Sequence, residues 1–194
     1  TLSALILIFL LTGCATSPQP TVYLNSTVHQ ISINQEDRWL IKGKIGFKSP
    51  EKKQSANFRW QQAQQQYQLN MTSIIGTSIL KMQGDAKSVT LMTDEETYQD
   101  SDPSHLIWRV TGWQIPVENL RFWIKGQHQK QDKVITSEQG WVSQLQPSCN
   151  NCQNWIINYD NYKLIDKIWL PHKIVLNDNI NNSQLLIRIN QWDL

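Results

Sequence analysis

The sequence lacks the residue groupings on which most enzymes rely. It has no Gly-x-Ser-x-Gly elbow to present a nucleophile, no glycine-rich phosphate loop and no His-Glu-x-x-His metal pair. Its four histidines, His29, His105, His128 and His172, are scattered singly and read as surface or packing residues. The short acidic run Asp94-Glu95-Glu96 reads as a solvated turn. Charge of one sign is missing too. The 18 basic and 16 acidic residues leave a net +2, which argues neither for a nucleic-acid partner nor for a polybasic membrane patch. No apolar run reaches the ~20 residues that a membrane-spanning helix needs. Cysteine is scarce, with only Cys14, Cys149 and Cys152. No cofactor is expected from such an inventory.

What is present begins with an apolar run, Leu2 to Leu11, followed by Thr12-Gly13-Cys14. A run of about ten residues fits the h-region of an export signal, ~7–15 residues long. Leu11-Thr12-Gly13-Cys14 looks like the lipobox of bacterial lipoprotein precursors, so cleavage before Cys14 and lipid attachment to it are expected. The plainer alternative is an ordinary secretory cleavage site beside a chance cysteine. The chain opens at Thr1 without Met or a basic n-region, and the signal (1–13) is expected to be clipped at its start. Residues 14–37 then hold the lipidated cysteine, a small Pro-containing linker (Ala15 to Pro20) and a possible first helix. With Cys14 lipidated, Cys149 and Cys152 form an even pair in an oxidising compartment.

From Trp39 the apolar period becomes two. Trp39, Ile41, Gly43, Ile45 and Phe47 share one face, and Lys42, Lys44 and Lys48 the other. Further runs carry Ala56, Phe58 and Trp60, then Tyr67, Leu69 and Met71, then Leu80 and Met82, then Val89 and Leu91. Short turns join them, as in an antiparallel meander. Asp102-Pro103 then starts a helix through Leu106, Ile107 and Val110. Pro116 opens a second, through Val117, Leu120, Trp123 and Ile124, stopped by Gly126. Strand-like runs resume at Trp141-Val142 and Leu145, Trp155 to Tyr159, Leu170 to Leu176, and finally Leu185, Ile187, Ile189 and Trp192. The pattern predicts one mainly β (α+β) domain over 38–194, a strongly curved sheet covered by a helical lid at about 102–125. Nine tryptophans promise a large apolar interior.

Two segments stand out. The link Thr72-Ser73-Ile74-Ile75-Gly76-Thr77-Ser78 puts two isoleucines at a hairpin tip, where solvent-facing turn residues are normal. Leaving both in water forgoes roughly 1.5–3 kcal/mol each relative to burial. Either they tuck back onto the domain, or they form an apolar finger for a bilayer or hydrophobic ligand. The second segment is Cys149-Asn150-Asn151-Cys152. A zinc site needs a second ligand pair, and a redox Cys-x-x-Cys usually opens a helix. A disulfide clasping a long turn is the preferred reading, contributing near the low end of the ~0–5 kcal/mol range.

Together the lipobox, the curved sheet with its helical lid and the Ile-Ile-Gly tip resemble the LolB family of outer-membrane lipoprotein receptors. The resemblance is carried by Phe58-Arg59-Trp60-Gln61-Gln62, Tyr67-Gln68-Leu69 and Thr72-Ser73-Ile74-Ile75-Gly76-Thr77. Thr111-Gly112-Trp113-Gln114-Ile115-Pro116, Leu120-Arg121-Phe122-Trp123-Ile124 and Trp192 extend it. It implies an eleven-stranded, half-open antiparallel β-barrel closed by helices. It also implies an apolar cavity that receives acyl chains from a periplasmic carrier of the LolA type and delivers the cargo lipoprotein to the phospholipid of the outer membrane. The delivery loop of the family matches Ile74, Ile75 and Gly76, with Ile74 at a position often held by proline. The Cys149–Cys152 pair looks like a departure from the family pattern. Ala15 after Cys14, rather than Asp, implies outer-membrane anchoring, with the domain facing the periplasm as a monomer. The sheet-side candidates for the acyl-chain cavity are Phe58, Trp60, Leu69, Met71, Leu80, Met82, Leu91, Leu185, Ile187 and Ile189. Those on the lid side are Ile107, Val110, Leu120, Trp123 and Ile124. For each the alternative is ordinary core packing. Rival readings are a tethered module for another hydrophobic ligand, a tethered enzyme and a purely structural envelope lipoprotein.

Overall fold

A computed structural model describes residues 23–150, 152 and 154–194. Helix α1 (Ser26–Gln35) leads into six strands, β1 (Arg38–Lys48), β2 (Lys53–Ala63), β3 (Gln66–Thr72), β4 (Ser78–Gly84), β5 (Val89–Met92) and β6 (Thr97–Asp100). Helices α2 (Pro103–Thr111) and α3 (Val117–Trp123) follow. Strands β7 (Lys133–Thr136), β8 (Val142–Gln146), β9 (Trp155–Ile165), β10 (Ile168–Asp178) and β11 (Ser183–Asp193) complete the chain. The eleven strands make one antiparallel sheet in the order β6-β5-β4-β3-β2-β1-β11-β10-β9-β8-β7. Its edges, β6 and β7, do not pair, so the sheet curls without closing. This is the half-open, lidded architecture expected from the sequence. The two edge strands escaped the sequence reading because each has four residues and little buried apolar area, as suits an edge kept short against unwanted pairing.

The long strands alternate because only their concave side finds cover. Trp39, Ile41, Gly43 and Phe47 are buried along β1, and Ala56, Phe58, Trp60 and Gln62 along β2. Pairing of β1 with β11 joins the two runs of strands into one sheet, and it carries an irregularity. Lys42 lies opposite Gln191 but Gly43 lies opposite Ile189, leaving Asn190 as an extra residue. The bulge changes which side chains face in. Leu185, Ile187 and Ile189 point inward on one parity, and Trp192 points inward on the other. Trp192 thereby meets Trp39 edge-on at 5.8 Å, and its indole N–H donates to the Pro171 carbonyl at 3.1 Å. Trp39 in turn meets Trp60 at 5.2 Å. Gly43 is required at the bulge, since a Cβ there would lie 2.0 Å from the Arg188 carbonyl oxygen.

Helix α2 starts where Asp102 caps it, accepting from the backbone N–H of Ser104 (2.8 Å) and His105 (3.3 Å), with Pro103 in its first turn. Gly112 ends it at φ +73°. The α3 segment is pinned to α2 by the Val117 N–H donating to Ser104 Oγ at 2.9 Å. Helix α1 is capped by Asn25 and buries His29 and Ile33. Lys125, just after α3, is buried and donates from Nζ to the carbonyls of Ile33 (3.1 Å) and Glu36 (2.6 Å). Those carbonyls sit at the end of α1, where intrahelical donors run out. Gln30 Nε2 donates to the Gly126 carbonyl at 2.9 Å. The end of the lid is thus tied to α1, and α1 to β10 through the 2.8 Å contact of His29 Nε2 with the Trp169 carbonyl.

Two outcomes follow from this packing. Gly43→Ala should lower unfolding stability by about 1–3 kcal/mol, read from the midpoint of chemical denaturation, because backbone rather than a side-chain end must give way. Burial pushes the Lys125 pKa down from 10.5 to about 8. The folded protein therefore binds this proton less tightly than the unfolded chain does, and stability rises as pH climbs from about 8 toward 10.5. Denaturation midpoints of the parent relative to Lys125→Met should shift in the parent's favour across that window, and a flat difference would refute the assignment.

Candidate functional site

The concave face of the sheet meets the lid along a wholly apolar seam. Phe58, Trp60, Leu69, Met71 and Ile187 contribute from the strands, and Ile107, Leu120 and Ile124 from the lid. These eight sequence candidates come together around one narrow space. Four residues not among the candidates share in it. Ile45 lies on the inner face of β1, while Trp113, Ile115 and Val117 come from the link between the lid helices and the start of α3. The link has no regular secondary structure, so Trp113 and Ile115 follow no strand or helix period and entered the sequence reading only through the family resemblance. The remaining candidates do not line this space. Leu80, Met82, Leu91, Leu185, Ile189 and Trp123 are buried in the surrounding core, and Val110 is half-buried against it. Trp123 borders instead a separate cavity of about 80 Å³ beside Asn119, Phe122 and Pro147.

The space itself is about 30 Å³, far below the ~300–1,000 Å³ of typical ligand pockets. The lid therefore rests directly on the sheet. Phe47 and Trp113 stack at 5.2 Å, and Trp113 Nε1 donates to Gln54 Oε1 at 2.7 Å, fastening the link over the far ends of β1 and β2. At the other end Tyr67, half-buried on β3, has its pKa pushed up to about 12, chiefly by burial and then by the charge of Glu118.

The β3–β4 turn projects beyond this body. The Ser73 N–H donates to the Thr77 carbonyl at 2.8 Å, the Gly76 N–H to the Ser73 carbonyl at 3.0 Å, and the Thr77 N–H to Ser73 Oγ at 3.1 Å. Gly76 takes φ +92°, which an L side chain rarely adopts. The turn is internally bonded, so its tip does not depend on packing. Ile74 is 70% and Ile75 90% exposed, and neither tucks back onto the domain.

Cys14, with the expected signal and linker, lies outside the described residues. Cys149 and Cys152 are joined as a disulfide with Cα atoms 5.5 Å apart, in the turn between β8 and β9. The histidines are less solitary than their spacing implied. His105 Nδ1 lies 2.6 Å from Asp100 Oδ2, and this contact holds the Asp100 carboxyl below the usual range. The pair is part-exposed at the start of α2, where Asp100 also accepts from the N–H of Ser101 and Asp102. His29 and His172 are buried packing residues beside backbone carbonyls. Among the described residues no helix is long and apolar enough to cross a membrane, and no group of three or more His, Cys, Asp or Glu could hold a metal.

In sequence and in fold the chain is similar to known proteins. The family model described as outer membrane lipoprotein LolB matches residues 37–192. The LolB of Vibrio cholerae is 33% identical over 192 residues, covering 96% of this chain and 92% of that protein. The LolB of Shewanella baltica is 34% identical over 196 residues, with 99% and 86% covered. A LolA superfamily protein from Nitrosomonas europaea has the same fold at a TM-score of 0.57 and 9% identity, covering 88% of this chain and 94% of that one. A protein domain from Vibrio parahaemolyticus described as a putative outer membrane lipoprotein-sorting protein aligns at a TM-score of 0.56 and 12% identity over 87% of this chain and 93% of that one. From the projecting Ile-Ile-Gly turn to the lidded half-barrel and the match along nearly its whole length, the chain belongs to the LolB family of outer-membrane lipoproteins.

Proposed function

We propose that the protein is an outer-membrane-anchored receptor that takes lipoproteins from a periplasmic carrier of the LolA type. It holds their acyl chains between sheet and lid and inserts them into the inner leaflet of the outer membrane. The anchor is lipid on Cys14, the domain (38–194) faces the periplasm as a monomer, and no catalytic group takes part. Membership of the LolB family supports the lipoprotein-receptor role. The observation that carries the finer reading is the seam itself, a surface lined by twelve apolar or aromatic side chains around a cavity of about 30 Å³.

A closed apolar seam under a separable cover is suited to acyl chains. Opening it exposes the lining to water, which is unfavourable, and an entering chain offsets that cost with about 0.8 kcal/mol per buried CH₂. Met71 in the lining adapts readily to chains of different shape. The lid helices are short, 9 and 7 residues, and bonded to each other, so they can lift as a unit while the long strands stay paired. Transfer needs no energy source if each acceptor holds the lipid more favourably than its donor. At the last step the Ile74–Ile75 tip would enter the bilayer and give the acyl chains a dry route out. The bonded turn makes this inexpensive, since the tip is already ordered in its exposed form.

Two measurements test this. In lipoprotein transfer from loaded carrier to vesicles, Ile75→Glu should still accept cargo but deliver it at least about tenfold more slowly, since a charge must enter the bilayer interface. Delivery at the parent rate would remove the role given to the tip. For the cavity, a diacylated lipopeptide with brominated acyl chains should quench tryptophan emission mainly through Trp60 and Trp113. The pair Trp60→Phe and Trp113→Phe should lose most of that quenching, and quenching that survives would place the acyl chains elsewhere.

A further inference from the structure

The fold sorts charge in a way that the near-neutral composition conceals. On the outer face of β1, Lys42 lies directly opposite Arg59 of β2, and Lys48 opposite Lys53. Across the other side of β1, Lys44 lies opposite Arg188 of β11, and Arg188 in turn opposite Lys173 of β10. Strands β1 and β2 contain no acidic residue, and β11 has only its last, Asp193. Lys173 pairs with Asp160 at 3.0 Å. The other six cations make no ion pair with any described residue. Like charges placed directly opposite across strands destabilise a sheet. Edge strands use lysine to discourage stray pairing, but β1 and β11 lie in the middle of this sheet. The fold gains nothing from the arrangement.

We propose that the cationic outer face of β1, β2 and β11 docks on anionic phospholipid headgroups and sets the tilt at which the apolar tip meets the bilayer. The occupant follows from the shape of the patch. From Lys42 to Lys48 it runs roughly 20 Å along β1 at the rise of an extended strand, on the convex side of the sheet, too long to converge on a single small anion. Lysine supplies mobile point charges on flexible stems, suited to headgroups that move laterally, rather than the rigid fork that grips one fixed oxyanion. The patch is also continuous with the tip. The β2 neighbour of Lys44 is Asn57, whose Nδ2 donates to the carbonyl of Ser73, the residue that opens the Ile74–Ile75 turn, at 3.1 Å. Lys48 and Lys53 flank that turn from the end of the adjoining β1–β2 ladder. A bilayer touching the tip at a slant therefore meets the charged face beside it. Headgroup attraction acts before the isoleucines touch lipid and orients the domain for them.

The inference concerns membrane docking and stands apart from whether acyl chains occupy the seam. Its test uses the chain from Ala15 onward, exported behind a conventionally cleaved signal so that no lipid is attached; every described strand and helix is retained. Flotation with phosphatidylcholine vesicles, with and without a phosphatidylglycerol fraction, measures binding at low and high salt. The parent should bind anionic vesicles at least about tenfold more tightly than neutral ones, with the preference shrinking as salt rises. The combined variant Lys42→Gln, Lys44→Gln, Lys48→Gln and Arg188→Gln should lose the preference. Its thermal midpoint should equal or exceed that of the parent, because repulsion is relieved, so lost binding cannot be assigned to unfolding. Ile75→Glu should weaken binding to both vesicles and keep the anionic preference, which separates this face from the tip. Equal binding of the parent to both vesicles, or an unchanged preference in the combined variant, overturns the proposal. So does a combined variant that binds vesicles normally but no longer binds loaded carrier, which would assign the face to an acidic protein surface.

Discussion

The pairing of β1 with β11 is the constraint on which the rest of the molecule depends. It brings the last strand of the chain against the first and makes one eleven-stranded sheet out of two separate meanders. Contacts of such long sequence separation are costly to form, and this one is held by long register, by the Trp39–Trp192 contact and by a bulge that only glycine at 43 admits. The bulge does more than relieve strain. By shifting one residue it lets Trp192 join the interior while Asn190 and Gln191 stay in water. Without it, the aromatic group at the base of the half-barrel would lose one of its three tryptophans.

Because the sheet curls without closing, its concave face is a large apolar surface with no second sheet to bury it. The lid answers that need, and the way it is fixed is unequal along its length. At one end Lys125 and Gln30 tie the lid to α1, and His105 and Trp113 hold it to Asp100 of β6 and Gln54 of β2. Along the seam between these ties the lid meets the sheet through apolar side chains. Apolar contacts are non-directional, and the proposed role of this lining as an acyl-chain site rests on that property. A polar network there would have demanded one partner and one geometry. The buried lysine at the tied end is the opposite kind of contact, directional and specific, and it marks where the cover is held.

The outer surface divides its work as well. One rim presents Ile74 and Ile75 on a turn that holds its own shape, and the adjacent convex face gathers unpaired cations. Apolar and cationic groups act over different ranges, the first at contact and the second over about a Debye length. Placed side by side on one rim, they suit approach to a charged, greasy boundary from water.

Much of this was legible in the sequence. Period-two runs gave the long strands, Asp102-Pro103 marked the start of α2, and the Ile-Ile-Gly tip drew notice by being apolar where turns are polar. Short edge strands such as Thr97–Asp100 were not legible, because four residues with one partly buried side carry too little pattern. Nor could strand patterns tell which inward side chains leave room between sheet and lid. Leu80, Met82 and Leu91 alternate as cleanly as Leu69 and Met71, yet only the latter border the seam. The sequence by itself determined the alternation and the capped start of α2, because each is set by neighbours a few residues away, and it marked the Ile74–Ile75 turn as unusual while leaving its exposure to the fold. The tertiary structure alone decided the bulge at Gly43, the burial of Lys125 against α1 and the gathering of Lys42, Lys44, Arg59 and Arg188 on one face. Those depend on register between strands far apart in the chain, and a net charge of +2 spread along 194 residues says nothing about where the sheet will collect it.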